Sequence, residues 1–316
     1  MDPIPMSILS RSVVRSINLH TIPNSTSREM SWDIAKIPVV CINLDRRPDR
    51  WQRLQDQAGF AEFPRTIQRW SAKDAKSLNP ETDPNVSITV RRNIAKKRRR
   101  AHEDIGGVGA IGCYYSHLSV AQWLLQQNVP VVLVLEDDIK LPAGTFAKLQ
   151  EHIEKTPHLQ DAHKWDVWNL GPWAQESTPL DDNNMKMTAY FLNHAYLLSK
   201  PGAEKLVANA FPIIVQYDGY MSILAQLGVL KLFGTKKQLI EQWGDEGSDT
   251  QGAADCPLCS LPDDWKGGKE GFMNQQLSPA LFSSQQQPSV ITPLTLILLA
   301  TTAWATWRMM RATKSA

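Results

Sequence analysis

The sequence predicts an α/β fold in which short apolar strands form a mainly parallel central sheet. Two continuous apolar runs, at residues 37–42 and 131–135, have the character of strands that are covered on both faces. Between them, apolar side chains recur at helical spacing from Ile111 to Leu125. Strands that alternate with helices favour parallel pairing through right-handed crossovers.

The first predicted strand leads into a polar loop and then into a helix. Pro48 suits the first turn of this helix, and Trp51 and Leu54 supply its apolar stripe. The longer second helix follows a glycine-rich segment at 106–112, which lacks the Gly-Lys-Ser/Thr ending of a P-loop. We therefore interpret this segment as a loop whose bare backbone can come close to a ligand or a neighbouring strand.

The overall charge of the chain does not favour a nucleic acid or a lipid surface as a partner. Its 316 residues include 34 basic and 32 acidic side chains. A local basic stretch at 91–100 has three interpretations: a solvated loop, which is the ordinary case, a nuclear signal, or a contact for phosphate or an acidic acceptor. Because it lacks interleaved aromatic side chains, no nucleic-acid partner is expected.

The two ends of the chain differ in character from the middle. Residues 290–307 carry no charge and are rich in leucine, isoleucine, alanine and tryptophan, which predicts a C-terminal membrane helix. A helix buried against the main domain is the alternative. The predicted organisation comprises a mobile leader at 1–36, the main folded domain at 37–265, a polar linker at 266–289, the membrane anchor at 290–307 and a basic tail at 308–316.

Two of the four cysteines are spaced for pairing or for metal. Cys256 and Cys259 form a C-x-x-C motif, but no second pair of cysteine or histidine ligands accompanies it. A local disulfide or two free thiols is therefore favoured over a zinc site.

Three acidic residues follow directly after the second apolar run. Side chains alternate along an extended chain, so Glu136 and Asp138 should point to one side and Asp137 to the other. Like charges this close need a cation, and hard carboxylate oxygens suit Mg²⁺ or Mn²⁺. The acids also lie where open α/β sheets bind ligands. The alternative is that they only cap the following turn.

Several segments, taken together and in order, resemble the family 25 glycosyltransferases, which include bacterial lipooligosaccharide galactosyltransferases and collagen galactosyltransferases. These segments are INLDRRPDRW (42–51), GAIGCYYSHLS (109–119), LVLEDD (133–138), WDVWNLG (165–171), AYLLSKPGAEKL (195–206), YDGYM (217–221) and GSD (247–249). The resemblance covers about residues 37–250. It implies a GT-A-like nucleotide-diphospho-sugar transferase fold and a metal-dependent, inverting transfer. UDP-galactose would be the commonest donor, and the acceptor would be a hydroxyl on a glycan, lipid or protein.

The resemblance and the chemistry of the side chains suggest roles for individual residues. Those expected to hold the nucleotide sugar are Asn43, Asp45, Arg46, Arg50, Ser116, His117, Glu136 and Asp137. Asp138 is the main expected metal ligand, with Glu136 as its companion. An inverting transfer needs a carboxylate to take the proton of the acceptor hydroxyl, and Asp218 is the leading candidate, with Asp249 in reserve.

Two further questions stay open at the level of the sequence. A membrane-tethered protein that kept the fold but lost turnover is one alternative function, and a basic nucleic-acid-binding factor is another. The sequence gives two conflicting signals for the side of the membrane on which the main domain lies. Arg308, Arg311 and Lys314 after the predicted span favour a cytoplasmic tail and a lumenal domain. Tail anchoring without an export signal instead favours a domain in the cytosol, which is the orientation expected here.

Overall fold

The computed structural model describes residues 31–99, 102–244 and 249–250. The strands in this part of the chain are β1 (Val39–Asn43), β2 (Gln68–Ser71), β3 (Val131–Glu136), β4 (Ile139–Lys140), β5 (Val167–Asn169), β6 (Trp173–Pro179), β7 (Asn184–Phe191), β8 (Ala195–Ser199), β9 (Leu232–Thr235) and β10 (Glu241–Gln242). The helices are α1 (Pro48–Gln55), α2 (Ile88–Ala95), α3 (Val108–Gln126), α4 (Thr145–Glu154), α5 (Pro157–Gln160), α6 (Lys200–Ala208) and α7 (Tyr217–Gln226). The predicted strands at 37–42 and 131–135 and the long helix between them are thus confirmed, as β1, β3 and α3.

Eight of these strands form one sheet in the order β2-β1-β3-β8-β5-β9-β7-β6. The predicted mainly parallel pairing is wrong, because β7 and β8 run against the other six strands and only three of the seven pairings are parallel. The sheet is therefore mixed. A buried apolar strand has the same composition in either direction, so its sequence does not record which way it runs. A mixed α/β protein with a large central sheet fits a GT-A-like fold.

The apolar core covers both faces of the sheet. Along β3, Val132 and Val134 belong to one cluster of buried side chains, which also contains residues of α3, α6 and α7. Leu133 and Leu135 belong to a second cluster on the opposite face, with residues of α1 and α4. This period of two is that of an extended strand, and burial on both faces explains why the strand is continuously apolar.

The basic stretch at 91–100 is only partly a loop. Its first residues belong to α2, which begins after Ser87, and the Ser87 hydroxyl accepts a hydrogen bond from the backbone N–H of Val90 at 3.3 Å. The expectation of a wholly loop-like segment is corrected by this capped helix.

Within the described ranges, no helix is long and apolar enough to cross a membrane. Residues 1–30 of the predicted leader at 1–36 lie outside those ranges, as do the predicted linker at 266–289, the predicted anchor at 290–307 and the Cys256–Cys259 motif. The membrane anchor at 290–307 therefore stays a prediction.

Candidate active site

A cavity of about 540 Å³ opens at the carboxyl ends of β1 and β3, beside the start of α3 and of α7. Most of the site residues expected from the sequence line it: Arg46, Arg50, Ser116, His117, Glu136, Asp137, Asp138, Asp218 and Asp249. The structure thus brings together residues that are up to about 200 positions apart in the chain. Such a concave site at the ends of parallel strands is a typical ligand site of α/β proteins.

Two expected nucleotide-binding residues do not line this cavity. Asn43 is buried, and its side-chain amide donates to the Asp137 carboxylate at 2.5 Å and to the Arg47 carbonyl at 3.0 Å. Asp45 is exposed and accepts a hydrogen bond from the Ser71 hydroxyl at 2.6 Å. In this structure Asn43 positions the acidic turn, whereas Asp45 belongs to the surface beside it.

The three acidic residues after β3 have three different environments. The strand ends at Glu136, so Asp137 and Asp138 lie in a turn and the expected alternation of side chains stops there. Glu136 Oε1 lies 3.1 Å from His117 Nε2 on α3. Asp137 is buried and accepts hydrogen bonds from Asn43 and, at 3.2 Å, from Arg50 Nη1. Asp137 is therefore held inside the protein.

Asp138 is the acid with unused acceptor capacity. Its Oδ2 accepts from the Gln242 amide at 3.1 Å and lies 3.8 Å from Arg50 Nη1. Its Oδ1 is buried and has no hydrogen-bond partner among the described residues. Burial, followed by the negative charges of Glu136 and Asp137, raises the pKa of Asp138 to about 7. A buried carboxylate oxygen with no donor, in an acidic neighbourhood, is suited to a cation.

Ser116 and His117 lie on the face of α3 that turns toward the cavity. The Ser116 hydroxyl accepts from the backbone N–H of Lys73 at 2.8 Å and donates to the Gly112 carbonyl at 2.7 Å, so it joins the helix to the loop after β2. His117 Nδ1 lies 3.0 Å from the Tyr196 hydroxyl, and its ring stacks on Tyr217 with centroids 5.0 Å apart. These contacts fix the orientation of the His117 ring.

The glycine-rich start of α3 permits a close approach of two chain segments. A Cβ atom at Gly109 would overlap the carbonyl oxygens of Asp249 and Thr250, and one at Gly112 would overlap the carbonyl oxygen of Lys73. The expectation of a loop is wrong from Val108 onward, because these residues belong to α3, but the expected close approach to a bare backbone is present, here by neighbouring loops.

Three arginines from the segment after β1 form an arginine wall at the cavity: Arg46 and Arg50 line it, and Arg47 binds Asp249, which also lines it. Arg46 Nη2 and Arg47 Nη1 bind the two oxygens of Asp249 at 3.0 and 2.8 Å, and Arg46 Nε also binds Asp74 at 3.0 Å. Burial raises the pKa of Asp249, but the hydrogen bonds and charge of Arg46 and then Arg47 outweigh it, so this pKa lies below its ordinary value. A carboxylate held in this way is a poor proton acceptor.

Asp218 lines the same cavity from the first turn of α7. Burial raises its pKa to about 6, and the charge of Glu136 acts in the same direction. Hydrogen bonds from the backbone of Gly219, at 2.7 Å, and of Leu192 oppose this rise. Leu192 has a left-handed φ of 72°, an uncommon conformation for leucine, at the point where the chain passes from β7 to β8.

Other cavity residues were not expected from the sequence. They include His102, Cys113, Phe191, Leu192, Gln216, Gln242 and Trp243. Arg99 also lines the cavity, and it belongs to the basic stretch at 91–100 for which a phosphate contact was one interpretation. Gln242 reaches Asp138 because β10 pairs with β4, about 100 positions earlier in the chain. Arg47 was not among the expected site residues, but it belongs to the arginine wall through its contact with Asp249. The sequence offered only a weak signal for this role of Arg47, namely that it lies in the same short segment as Arg46 and Arg50.

Comparison with known proteins finds a family and relatives that match more than half of this chain. Residues 36–221 match the family described as glycosyltransferase family 25 (LPS biosynthesis protein). A glycosyltransferase 25 family member from Aedes aegypti is 25% identical over 243 residues, which cover 71% of this chain and 38% of that protein. Human procollagen galactosyltransferase 2 is 25% identical over 59% of this chain and 30% of its own length.

A third relative has a name that describes it as probably inactive. The probable inactive glycosyltransferase 25 family member 3 of Bos taurus is 25% identical over 54% of this chain and 28% of its own length. The chain thus spans less than two fifths of the length of each of these three relatives.

Proposed function

Because this chain belongs to glycosyltransferase family 25, we propose that it transfers a sugar from a nucleotide-diphosphate donor to a hydroxyl acceptor, with inversion and with the help of Mn²⁺ or Mg²⁺. The observation that carries the proposal is the position of Asp138. Its unpartnered oxygen lies in a cavity that also contains the arginine wall and a buried carboxylate with a raised pKa.

The residues present fit a hard divalent cation. Asp138 Oδ1 is buried and has no donor in the part of the chain that the structure describes, and Glu136 lies close enough to act on Asp138 electrostatically as a second carboxylate. Oxygen ligands of this kind suit Mn²⁺ and Mg²⁺, which would neutralise the charge that develops on the departing nucleotide diphosphate. Gln242 would hold Asp138 in place, since its amide donates to the other oxygen of the carboxylate.

The arginine wall would bind the phosphates of the donor. Arg46 and Arg47 present guanidinium groups that at present hold Asp249, and Arg50 lies within 4.0 Å of the same carboxylate. Guanidinium groups match phosphate as well as carboxylate geometry, so a diphosphate could take over these contacts. Asp249 therefore acts in this proposal as a partner of the phosphate-binding arginines.

Asp218 would act as the general base. Its raised pKa of about 6 leaves it ionised at neutral pH and still close enough to the operating pH to accept a proton effectively. The carboxylate would remove the proton of the acceptor hydroxyl while the oxygen attacks the sugar carbon on the face opposite the departing nucleotide. The backbone N–H groups of Leu192 and Gly219 would keep the carboxylate oriented for this step.

The choice of donor and acceptor rests on the relatives. The name of the human relative, procollagen galactosyltransferase 2, supports UDP-galactose as the first donor to test and a protein hydroxyl as the first acceptor. A glycan or lipid hydroxyl is the alternative acceptor.

We also propose that residues 290–307 tether the protein to a membrane with the catalytic domain in the cytosol, with the lumen of the secretory pathway as the alternative.

A second candidate function is binding without turnover, and the bovine relative named as probably inactive favours considering it. Both functions predict metal-dependent UDP binding, whereas only a transferase hydrolyses or transfers the donor sugar. Calorimetry with UDP and Mn²⁺, followed by a screen for UDP release from a panel of UDP-sugars, separates them. Binding with no release from any donor would favour the non-catalytic function.

A further inference from the structure

Three side chains of different chemistry meet at the wall of the cavity. The Cys113 thiol, the His117 imidazole and the Glu136 carboxylate each offer an atom that lies within 4.8 Å of the other two. Cys113 and His117 are one helical turn apart on α3 and so share a face, while Glu136 comes from the end of β3. All three line the cavity. A ligand in the cavity can therefore reach all three together.

The histidine of this group is oriented as an imidazole metal ligand is. His117 Nε2 faces Glu136, and Nδ1 on the far side lies 3.0 Å from the Tyr196 hydroxyl. A cation at Nε2 requires the tautomer with the ring proton on Nδ1, and in that tautomer Nδ1 can donate to the Tyr196 hydroxyl. A hydrogen bond at the far nitrogen is the usual way in which proteins orient a histidine ligand.

We propose that Cys113, His117 and Glu136 form a binding site for a thiophilic divalent cation, Zn²⁺ above all, which shares Glu136 with the hard cation site at Asp138. Sulfur, nitrogen and oxygen ligands together are typical of zinc, whereas Mn²⁺ and Mg²⁺ prefer oxygen alone. Three protein ligands leave a fourth position, which faces the cavity.

The surroundings of Cys113 favour a positive charge. Glu136, Asp218 and Asp138 all lie close enough to act electrostatically on the thiol. Binding releases the thiol proton to solvent and leaves a thiolate on the cation. Since Glu136 belongs to both proposed cation sites, an ion held by Cys113 would withdraw it from Asp138. If the proposed function is correct, Zn²⁺ therefore inhibits transfer that Mn²⁺ supports.

Cobalt spectroscopy of the full chain tests this site directly. Substitution of Cys256 and Cys259 by serine first removes the two thiols of the C-x-x-C motif, and Cys41 is fully buried. In this background, Co²⁺ should give a sulfur-to-cobalt charge-transfer band that saturates at one equivalent and disappears when Zn²⁺ is added. Cys113→Ser should abolish the band, whereas the matched control Cys41→Ala should keep it. Tyr196→Phe should weaken the affinity about tenfold, through the lost hydrogen bond to His117.

A second measurement needs no substitution at the site. Cys113 is partly exposed, so the rate at which an alkylating reagent modifies it can be followed by mass spectrometry of the peptide. Zn²⁺ should slow this modification and Mg²⁺ should not. Absence of the charge-transfer band while Cys113 is intact, survival of the band in Cys113→Ser, or equal alkylation with and without Zn²⁺ would each overturn the proposal.

The outcome does not depend on the proposed transferase activity, because neither measurement contains a nucleotide sugar or an acceptor. A chain that binds Co²⁺ through Cys113 but turns over no donor would keep this inference and refute the proposed function. A chain that turns over a donor but shows no thiolate band would do the reverse.

Discussion

Asp218→Asn should lower transfer strongly and, at neutral pH, raise the stability of the folded protein. Loss of a general base costs about 10²- to 10⁴-fold in rate, which corresponds to about 3 to 5 kcal/mol in activation free energy. The amide oxygen of asparagine can still accept the hydrogen bond from Gly219, so the local structure should persist. UDP affinity should change little, because the proposed role of Asp218 is to take the proton of the acceptor hydroxyl rather than to bind the nucleotide.

The gain in stability follows from the raised pKa of Asp218. Its pKa rises from 3.8 to about 6 on folding, so the folded protein binds this proton more tightly than the unfolded chain does. Stability therefore falls as the pH rises from about 4 to about 6, and the cost is fully present at neutral pH. At about 1.4 kcal/mol per pKa unit, the ionised Asp218 carboxylate lowers the free energy of unfolding by about 3 kcal/mol at neutral pH. The neutral amide of asparagine can recover at most this amount.

Two assays and one control check this prediction. Initial rates of UDP release measure the loss of transfer, and in the wild type these rates should rise with pH through about 6 and then level off. Thermal unfolding should show a rise of up to about 10 °C for Asp218→Asn at pH 7.5, with the gain shrinking toward pH 4. Asp249→Asn is the matched control and should lower stability, because Arg46 and Arg47 hold that carboxylate. Wild-type turnover by Asp218→Asn, or a loss of stability at neutral pH, would refute the reasoning.

Three further changes test other parts of the account. Asp138→Asn should abolish Mn²⁺-supported turnover while the protein stays folded by circular dichroism, because the amide cannot retain the cation; normal turnover would contradict the metal assignment. Arg46→Gln should weaken UDP binding by about tenfold or more but leave uridine binding unchanged in calorimetry, since one charge-assisted contact to phosphate is lost; an equal loss for both would place Arg46 elsewhere. In eukaryotic cells the full-length chain should stay with membranes after an alkaline wash, and truncation after Pro288 should release it. A full-length chain in the soluble fraction would exclude the anchor. Asn24-Ser25-Thr26 and Asn85-Val86-Ser87 match the acceptor pattern for N-glycosylation, so glycan on Asn24 or Asn85 would place the domain in the lumen.

The sequence predicts the scaffold of the site better than its contacts. Apolar runs and helical spacing are local signals, so β1, β3 and α3 were identified from them, and the acids after β3 lie at the predicted edge of the sheet. The direction of β8 depends on its pairing with β3 and β5, which no local pattern records. For this reason the mixed character of the sheet was missed.

The details of the acidic turn were also beyond the sequence. Alternation along a strand predicts a common side for Glu136 and Asp138, but the strand ends at Glu136 and the turn gives each carboxylate separate partners. The partner of Asp138, Gln242, lies about 100 positions away and carries no motif. Likewise, the sequence could not decide between Asp218 and Asp249 as the general base, because the contacts of Asp249 with two arginines depend on the tertiary fold.

Release of UDP from UDP-sugars tests the central claim most directly. The full chain is incubated with a panel of UDP-sugars, in Mn²⁺ and in excess chelator, with and without a collagen-derived acceptor peptide. The account predicts release from at least one donor, UDP-galactose first, that requires the cation and is lost in Asp138→Asn. Equal release in chelator would contradict the role of the metal, and no release from any donor, despite metal-dependent UDP binding, would contradict catalysis itself.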